Sequence, residues 1–278
     1  MPVLRATAGQ WLADNTRAIV VEVTEARGSA PRKAGTRMLV SDALCAGTVG
    51  GGHLELKAIA QARAMLAADA TSPQTAHYPL GPALGQCCGG AVTLGFCVLD
   101  ADALNAWPQS APRFHLQLYG AGHVGRAIAR ALAPLDVRVD WIDERDDEFP
   151  ARFFEHGAPW PANIRKVCVD AVDAEVRNAP PGGFYLVLTH QHDLDLQITE
   201  AILKRGDFGF LGLIGSKTKK QRFIHRFAQR GIAPELIERM TCPIGIPGIA
   251  GKEPEVIAIA VVAQLLQASE PLAHPIKA

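Results

Sequence analysis

The segment Tyr119-Gly120-Ala121-Gly122-His123-Val124-Gly125 narrows the fold more than any other stretch of this 278-residue chain. Residues 113–119 (RFHLQLY) read as a strand, and Val124, Ile128 and Leu132 recur at helical spacing directly after the first glycines. A strand, a GxGxxG turn and a helix make the first unit of a parallel sheet. Gly120 allows the tight turn, Gly122 lets the backbone approach a pyrophosphate, and Gly125 lets helix and strand pack closely. The helix N-terminus then offers free N–H groups and a positive dipole end to an anion. A second strand over 137–142 ends at Asp143, a position from which a carboxylate accepts a ribose hydroxyl. Two readings stay open here: a phosphate-bearing ligand on the turn, or a turn retained by the fold that binds nothing.

The rest of this half repeats the alternation. Strands fit 164–169, 184–189 and 208–214, and helices fit 194–205, 217–230 and 253–267. Strands spaced by helices imply an α/β, doubly wound, Rossmann-like parallel sheet over 112–278. Residues 100–113, with two prolines and little periodicity, break the pattern and mark a boundary. Before it, residues 1–105 form a smaller Gly-rich α+β domain. Its strands fall at 18–24, 36–40 and 91–99, with a short apolar piece over 44–49. A helix begins at His53, with Ile59, Ala62, Met65 and Leu66 on one face.

Composition excludes several classes. Hydrophobic residues make up 48% and charged residues 20%, which is globular and not disordered. Lys plus Arg equals Asp plus Glu at 28 each, so no global field gathers phosphate backbone, and nucleic acid is not expected as a partner. The longest apolar stretch, 256–263, is too short to span a bilayer, and no membrane association is expected. Arg5, Gln10 and Asp14 interrupt the N-terminal apolar positions, so that segment does not read as a signal peptide. The six cysteines, two of them adjacent, then read as reduced thiols in the cytoplasm.

Four loops carry candidate chemistry. Residues 47–55 (GTVGGGHLE) place Gly50, Gly51, Gly52 and His53 at a second glycine-rich helix entry, which either presents amides to an oxyanion or turns for steric reasons alone. Residues 86–90 (QCCGG) set Cys87 and Cys88 beside two glycines. Cys45, Cys97 and Cys168 fit strand cores as small hydrophobes, whereas two loop thiols suit a soft ligand to a metal or sulfur transfer. Thr189-His190-Gln191-His192-Asp193 follows a strand at the carboxyl edge, where doubly wound folds bind ligands. It is read as a polar contact to ligand, as a metal loop, or as loop residues with Asp193 capping the next helix. In Ile214-Gly215-Ser216-Lys217-Thr218-Lys219-Lys220, Ser216 is positioned to cap a helix and Lys217 to reach a phosphate, while Lys219 and Lys220 fit a solvated basic turn.

Taken in order, RGSAPRKAGTRMLV (27–40), GTVGGGHLE (47–55), LGQCCGG (84–90), LYGAGHVGRAIA (118–129), VLTHQHDLDL (187–196), GLIGSKTKK (212–220) and the segment 242–266 resemble the XdhC/CoxI family of xanthine dehydrogenase accessory proteins. The likeness covers nearly the whole chain and departs at Gln264, where a Glu is common. It implies a carrier of the molybdenum cofactor in its molybdopterin form, a cofactor-insertion chaperone more than an enzyme. Such a carrier protects the cofactor, assists its sulfuration and inserts it into apo xanthine dehydrogenase. The implied partners are the molybdenum-binding subunit of that enzyme, a cysteine desulfurase and a second copy of the chain. Cofactor contacts are then expected from Gly50, Gly51, Gly52, His53, Gly120, Gly122, His123, Gly125, Asp143, His190 and Lys217, with Cys87 or Cys88 at molybdenum or in sulfur relay, Cys87 favoured as the metal contact. The alternative is an NAD(P)-dependent oxidoreductase using the same turn and Asp143, with His190 or His192 as acid–base group.

Overall fold

A computed structural model describes residues 2–80, 90–108, 111–153 and 160–270. The chain divides into two compact units, residues 1–110 and 111–278.

The first unit is a five-stranded antiparallel sheet in the order β3-β2-β1-β5-β4, formed by β1 (Ala18–Arg27), β2 (Arg37–Ser41), β3 (Cys45–Gly47), β4 (Gln74–Pro79) and β5 (Ala91–Val98). The near-continuous apolar run of β1 follows from burial on both faces. Ile19, Val21 and Val23 join Met38, Val40, Leu94 and Phe96 in a core under α2 (Gly52–Ala67). Ala18 and Val20 face the other way, onto Leu4 and Ala8 of α1 (Pro2–Ala13) and onto Trp107. The sequence reading left α1 out, and it left out β4 as well, an exposed edge strand that ends at Pro79. Residues 100–113 hold more order than their prolines imply: Asp100 accepts from the Ala103 N–H at 2.7 Å and caps the short helix α3 (Ala101–Asn105).

The second unit is a six-stranded, wholly parallel sheet in the order β11-β10-β9-β6-β7-β8. Its strands are β6 (His115–Tyr119), β7 (Arg138–Asp143), β8 (Ile164–Cys168), β9 (Phe184–Val187), β10 (Phe210–Leu213) and β11 (Met240–Thr241). The order runs outward from β6 to β8, then returns to place β9 on the other side of β6. This reversal is the doubly wound topology and opens a crevice between the carboxyl ends of β6 and β9. The fold is therefore the expected α/β Rossmann-like sheet preceded by a smaller α+β unit. On one face of the sheet, α4 (His123–Leu132) and α8 (Pro254–Ser269) bury Leu116, Leu118, Val139 and Trp141. On the other lie α5 (His192–Arg205), α6 (Lys217–Gln229) and the 3-10 segment Val172–Asn178, over Tyr119, Ile142, Tyr185 and Leu211. Between α6 and β11 the chain adds the short α7 (Pro234–Glu238), absent from the sequence reading.

Four residue assignments change. Cys97 is half-buried and packs against the core of Leu4, Val20 and Leu39, and the buried cysteine among those described is Cys242; Cys45 and Cys168 are exposed and are not strand-core thiols. Their strands β3 and β8 are edge strands, with one side open. Lys219, read as solvated, is buried. Asp193 does not cap α5: the N-cap is Gln191 and Asp193 is exposed in the first turn.

Candidate functional site

The Gly-rich turn sits at the crevice, and its three glycines differ in what holds them there. Gly120 has φ +117°, and a Cβ on it would stand 2.3 Å from the Leu188 carbonyl oxygen, so only glycine lets the turn lie against the end of β9. A Cβ on Gly125 would stand 2.0 Å from the Gly120 carbonyl oxygen, so its hydrogen lets α4 seat on the turn. Gly122 is different. It is the N-cap of α4 at φ −66°, and a Cβ built on it meets nothing within 4 Å. Neither backbone strain nor packing calls for glycine at 122. What it leaves is a bare backbone beside the first-turn N–H groups of α4, which have no acceptor within the helix. His123, the first helical residue, is exposed.

Asp143 ends β7 beside the turn with its side chain 3% exposed. Its Oδ2 accepts from the Ala121 N–H at 2.7 Å and from Arg145 Nη2 at 2.9 Å; its Oδ1 accepts from the Arg145 N–H and from Arg145 Nε, each at 3.0 Å. Burial pushes the carboxyl pKa up, but the Arg145 guanidinium and these amides outweigh burial and hold it below the usual carboxylate range. Asp143 therefore ties the phosphate turn to the β7 loop. At the end of β9, His190 Nε2 lies 3.6 Å from Glu144 Oε1, which brings the loop 188–191 over to the β7 loop. In the next loop Ser216 caps α6 by accepting from the Lys219 N–H at 3.2 Å, as its position predicts, and Lys217 is exposed at the first helical position. The crevice thus gathers Gly120, Gly122, His123, Gly125, Asp143 and His190, with Lys217 one strand further along.

The pair beneath these loops escaped the sequence reading. Asp195, 1% exposed, accepts from the Thr189 N–H at 2.9 Å and the Thr189 hydroxyl at 2.7 Å. Its other oxygen takes Lys219 Nζ at 2.5 Å, and that ammonium also donates to the Ile214 carbonyl at 2.9 Å. One buried ion pair thereby fixes the loops after β9 and β10 together. The signal was in the spacing: Asp195 shares a helical face with Ile198, Thr199 and Ile202, and Lys219 with Phe223 and Phe227, all of them buried.

In the first unit, the amides of the loop 48–51 do meet an anion, and it is the chain's own. Glu55 Oε1 accepts from the N–H groups of Val49, Gly50 and Gly51 at 3.1, 3.2 and 2.8 Å, and from the Thr48 hydroxyl. Gly51, at φ +77°, turns the loop so that these amides converge. Burial raises the Glu55 pKa, but the hydroxyl and the three amides outweigh it and leave the net value lowered. His53 and Gly52 are exposed at the start of α2. Cys87 and Cys88 lie outside the described residues. Among the described residues, no group of three or more His, Cys, Asp and Glu side chains is arranged to hold a metal ion, and no helix is long and apolar enough to cross a membrane.

Residues 116–265 match the XdhC Rossmann domain family, and residues 11–79 match the XdhC and CoxI family. The chain is 30% identical over 256 residues to "Uncharacterized protein YqeB" of Escherichia coli (strain K12), an alignment covering 89% of this chain and 43% of that protein. The chain thus spans less than half the length of this curated relative. Its fold is similar to a crystal structure described as a xanthine dehydrogenase from Bacillus halodurans, with a TM-score of 0.73 over 98% of each chain. At 19% identity that likeness concerns the fold alone.

Proposed function

The chain belongs to the XdhC and CoxI family, and from that membership we propose that it serves the maturation of xanthine dehydrogenase as a carrier of the molybdenum cofactor. The cofactor, in its molybdopterin form, is cargo: taken up, protected, sulfurated and passed to the molybdenum-binding subunit of the apo enzyme. In this reading the protein is a cytoplasmic chaperone that works as a homodimer and receives sulfur by way of a cysteine desulfurase.

The observation that supports the reading is Gly122. At ordinary φ and with open space at its Cβ position, neither strain nor packing requires glycine at this N-cap, and a ligand phosphate against the α4 N-terminus supplies a further reason for it. The first-turn amides of α4 and the exposed His123 would receive the phosphate tail. His190 and Lys217, at the neighbouring strand ends, would add a hydrogen bond and a positive charge. Gly50 and Gly51 fit a supporting role, since Glu55 already takes their amides, and Gly52 begins the helix; a contact from that loop would fall to His53. Bound molybdenum supplies a soft centre that a thiolate can ligate or sulfurate, and Cys87 or Cys88 is the proposed thiol.

Gly122→Val places a branched side chain at the cradle, from a position where a Cβ meets nothing within 4 Å. It should abolish cofactor retention on purification from a molybdenum-replete host and leave the melting temperature within a few degrees of the parent. In the same assay one of Cys87→Ser and Cys88→Ser should fold normally yet fail to load cofactor or activate apo xanthine dehydrogenase. Full retention by a folded Gly122→Val protein would remove the cradle from the site.

A further inference from the structure

A Rossmann site that takes NAD keeps a carboxylate near the end of its second strand for the ribose hydroxyls. Here that carboxylate is Asp143, and it is full. A carboxylate offers about four acceptor positions, and the Ala121 N–H, the Arg145 N–H, Arg145 Nε and Arg145 Nη2 occupy four. The Asp143 side chain is 3% exposed and the Arg145 side chain bound to it 28% exposed, so Arg145 is the more open partner and covers the carboxylate. The cover is latched from its far side. Arg145 Nη1 donates to Glu148 Oε1 at 3.2 Å, and Arg126 Nη2 donates to Glu148 Oε2 at 2.6 Å. Arg126 belongs to α4, the helix whose N-terminus forms the cradle, and its Nε and Nη2 also hold the Glu148 carbonyl at 2.9 and 2.7 Å. A ribose diol would have to break a two-pronged, charge-assisted contact to reach Asp143. A phosphate at Gly122 breaks nothing.

We propose that Arg145 is a specificity-determining residue: by saturating Asp143 it makes this crevice a site for a phosphate carried without a nucleoside, and closes it to NAD(H) and to other ligands that need a ribose contact there. The inference rests on the Gly122 cradle and narrows its ligand to a phosphomonoester class, such as the tail of molybdopterin. It also argues against the NAD(H) form of the oxidoreductase alternative on the geometry of one residue pair.

The test uses the full-length protein with two probes: NADH, followed by its own fluorescence, and inorganic pyrophosphate, which carries the anion without the ribose, followed by calorimetry. The wild type should bind pyrophosphate and bind NADH no better than Gly122→Val does. Arg145→Ala frees two acceptor positions on Asp143, so its NADH affinity should rise by about tenfold or more, the scale of one charge-assisted contact. Its pyrophosphate affinity should change by less than about threefold, and adding Asp143→Ala should erase the NADH gain. Gly122-dependent NADH binding by the wild type at the level of Arg145→Ala would overturn the role of Arg145 while leaving molybdopterin binding intact. A folded Arg145→Ala with unchanged NADH affinity would overturn it too. If Arg145→Ala does not fold, the wild-type comparison with Gly122→Val decides alone. A wild type that retains neither pyrophosphate nor molybdopterin would overturn the cradle and this inference together.

Discussion

Glu55 carries its charge into a nest of three amides and a hydroxyl, and so the glycines before α2 serve the helix start directly. Charge-assisted bonds of this kind are roughly twice as strong as neutral ones, and the carboxylate also sits at the positive end of the helix dipole. Glu55→Gln should therefore cost about 1 kcal/mol at pH 7. The penalty should shrink in acid: the folded pKa is lowered, so the parent's advantage is full above the unfolded value near 4 and is lost as pH falls through the folded one. Urea denaturation of both proteins at pH 7 and pH 3 measures it, and equal stability at pH 7 would dismiss the nest as an energetic feature. Gln264 also holds backbone groups of a glycine. Its amide accepts from the Gly245 N–H at 2.9 Å and donates to the Gly245 carbonyl at 3.0 Å, a pairing that a carboxylate, having no donor, can only half make.

Among the elements, α5 and α6 matter most to the crevice, because each sends one charged residue inward at its first turn or two. Asp195 and Lys219 are buried with partners for both ends, and each lies on an otherwise apolar stripe. Removing one member leaves an uncompensated buried charge, which typically costs about 3–5 kcal/mol. Lys219→Met should lose stability on that scale, and the double variant Asp195→Leu/Lys219→Met should recover part of it, with a coupling of about 1 kcal/mol or more. Chemical denaturation of the four proteins closes the cycle, and strictly additive losses would mean that the pair is not coupled. Much of this site was legible. The strand–GxGxxG–helix order, the Ser216 cap and the edge position of His190 follow from local spacing and turn chemistry. Lys219 was misread because a run of lysines resembles a solvated turn unless it is laid out every fourth residue against Phe223 and Phe227. The saturation of Asp143 was not legible, since it depends on where the side chain of Arg145 turns after the strand ends.

At the level of the whole chain, the parallel sheet was easier to read than the antiparallel one because its central strands β6, β7, β9 and β10 are almost wholly buried and long helices separate most of them. β4 and β11 were lost as an exposed edge and a two-residue strand, neither of which leaves a period to detect. Burial of charge across that parallel sheet has a cost that appears in acid. Asp140, at 2% side-chain exposure, lies between His115 Nε2 at 2.7 Å and Arg165 Nε at 2.8 Å. Burial pushes its pKa up, but His115 and Arg165 outweigh burial and bring it down to about 2. The native state then holds this proton less tightly than the unfolded chain, whose carboxyl titrates near 3.9. The sign follows: the contribution is full above about pH 4 and disappears as pH falls toward 2. From the difference between those values it amounts to about 2–3 kcal/mol, and Asp143 and Glu55, both lowered, act in the same window. Stability should accordingly stay nearly flat from pH 7 to pH 5 and fall steeply between about pH 4 and pH 2. Asp140→Asn should be less stable than the parent at pH 7, because Arg165 loses its counter-charge and His115 its carboxylate partner, yet its curve should fall more shallowly by about 2–3 kcal/mol across the acid limb. Urea titrations along the pH series give both slopes; parallel curves for the two proteins would show that Asp140 does not titrate with unfolding and that the acid limb belongs to other carboxylates.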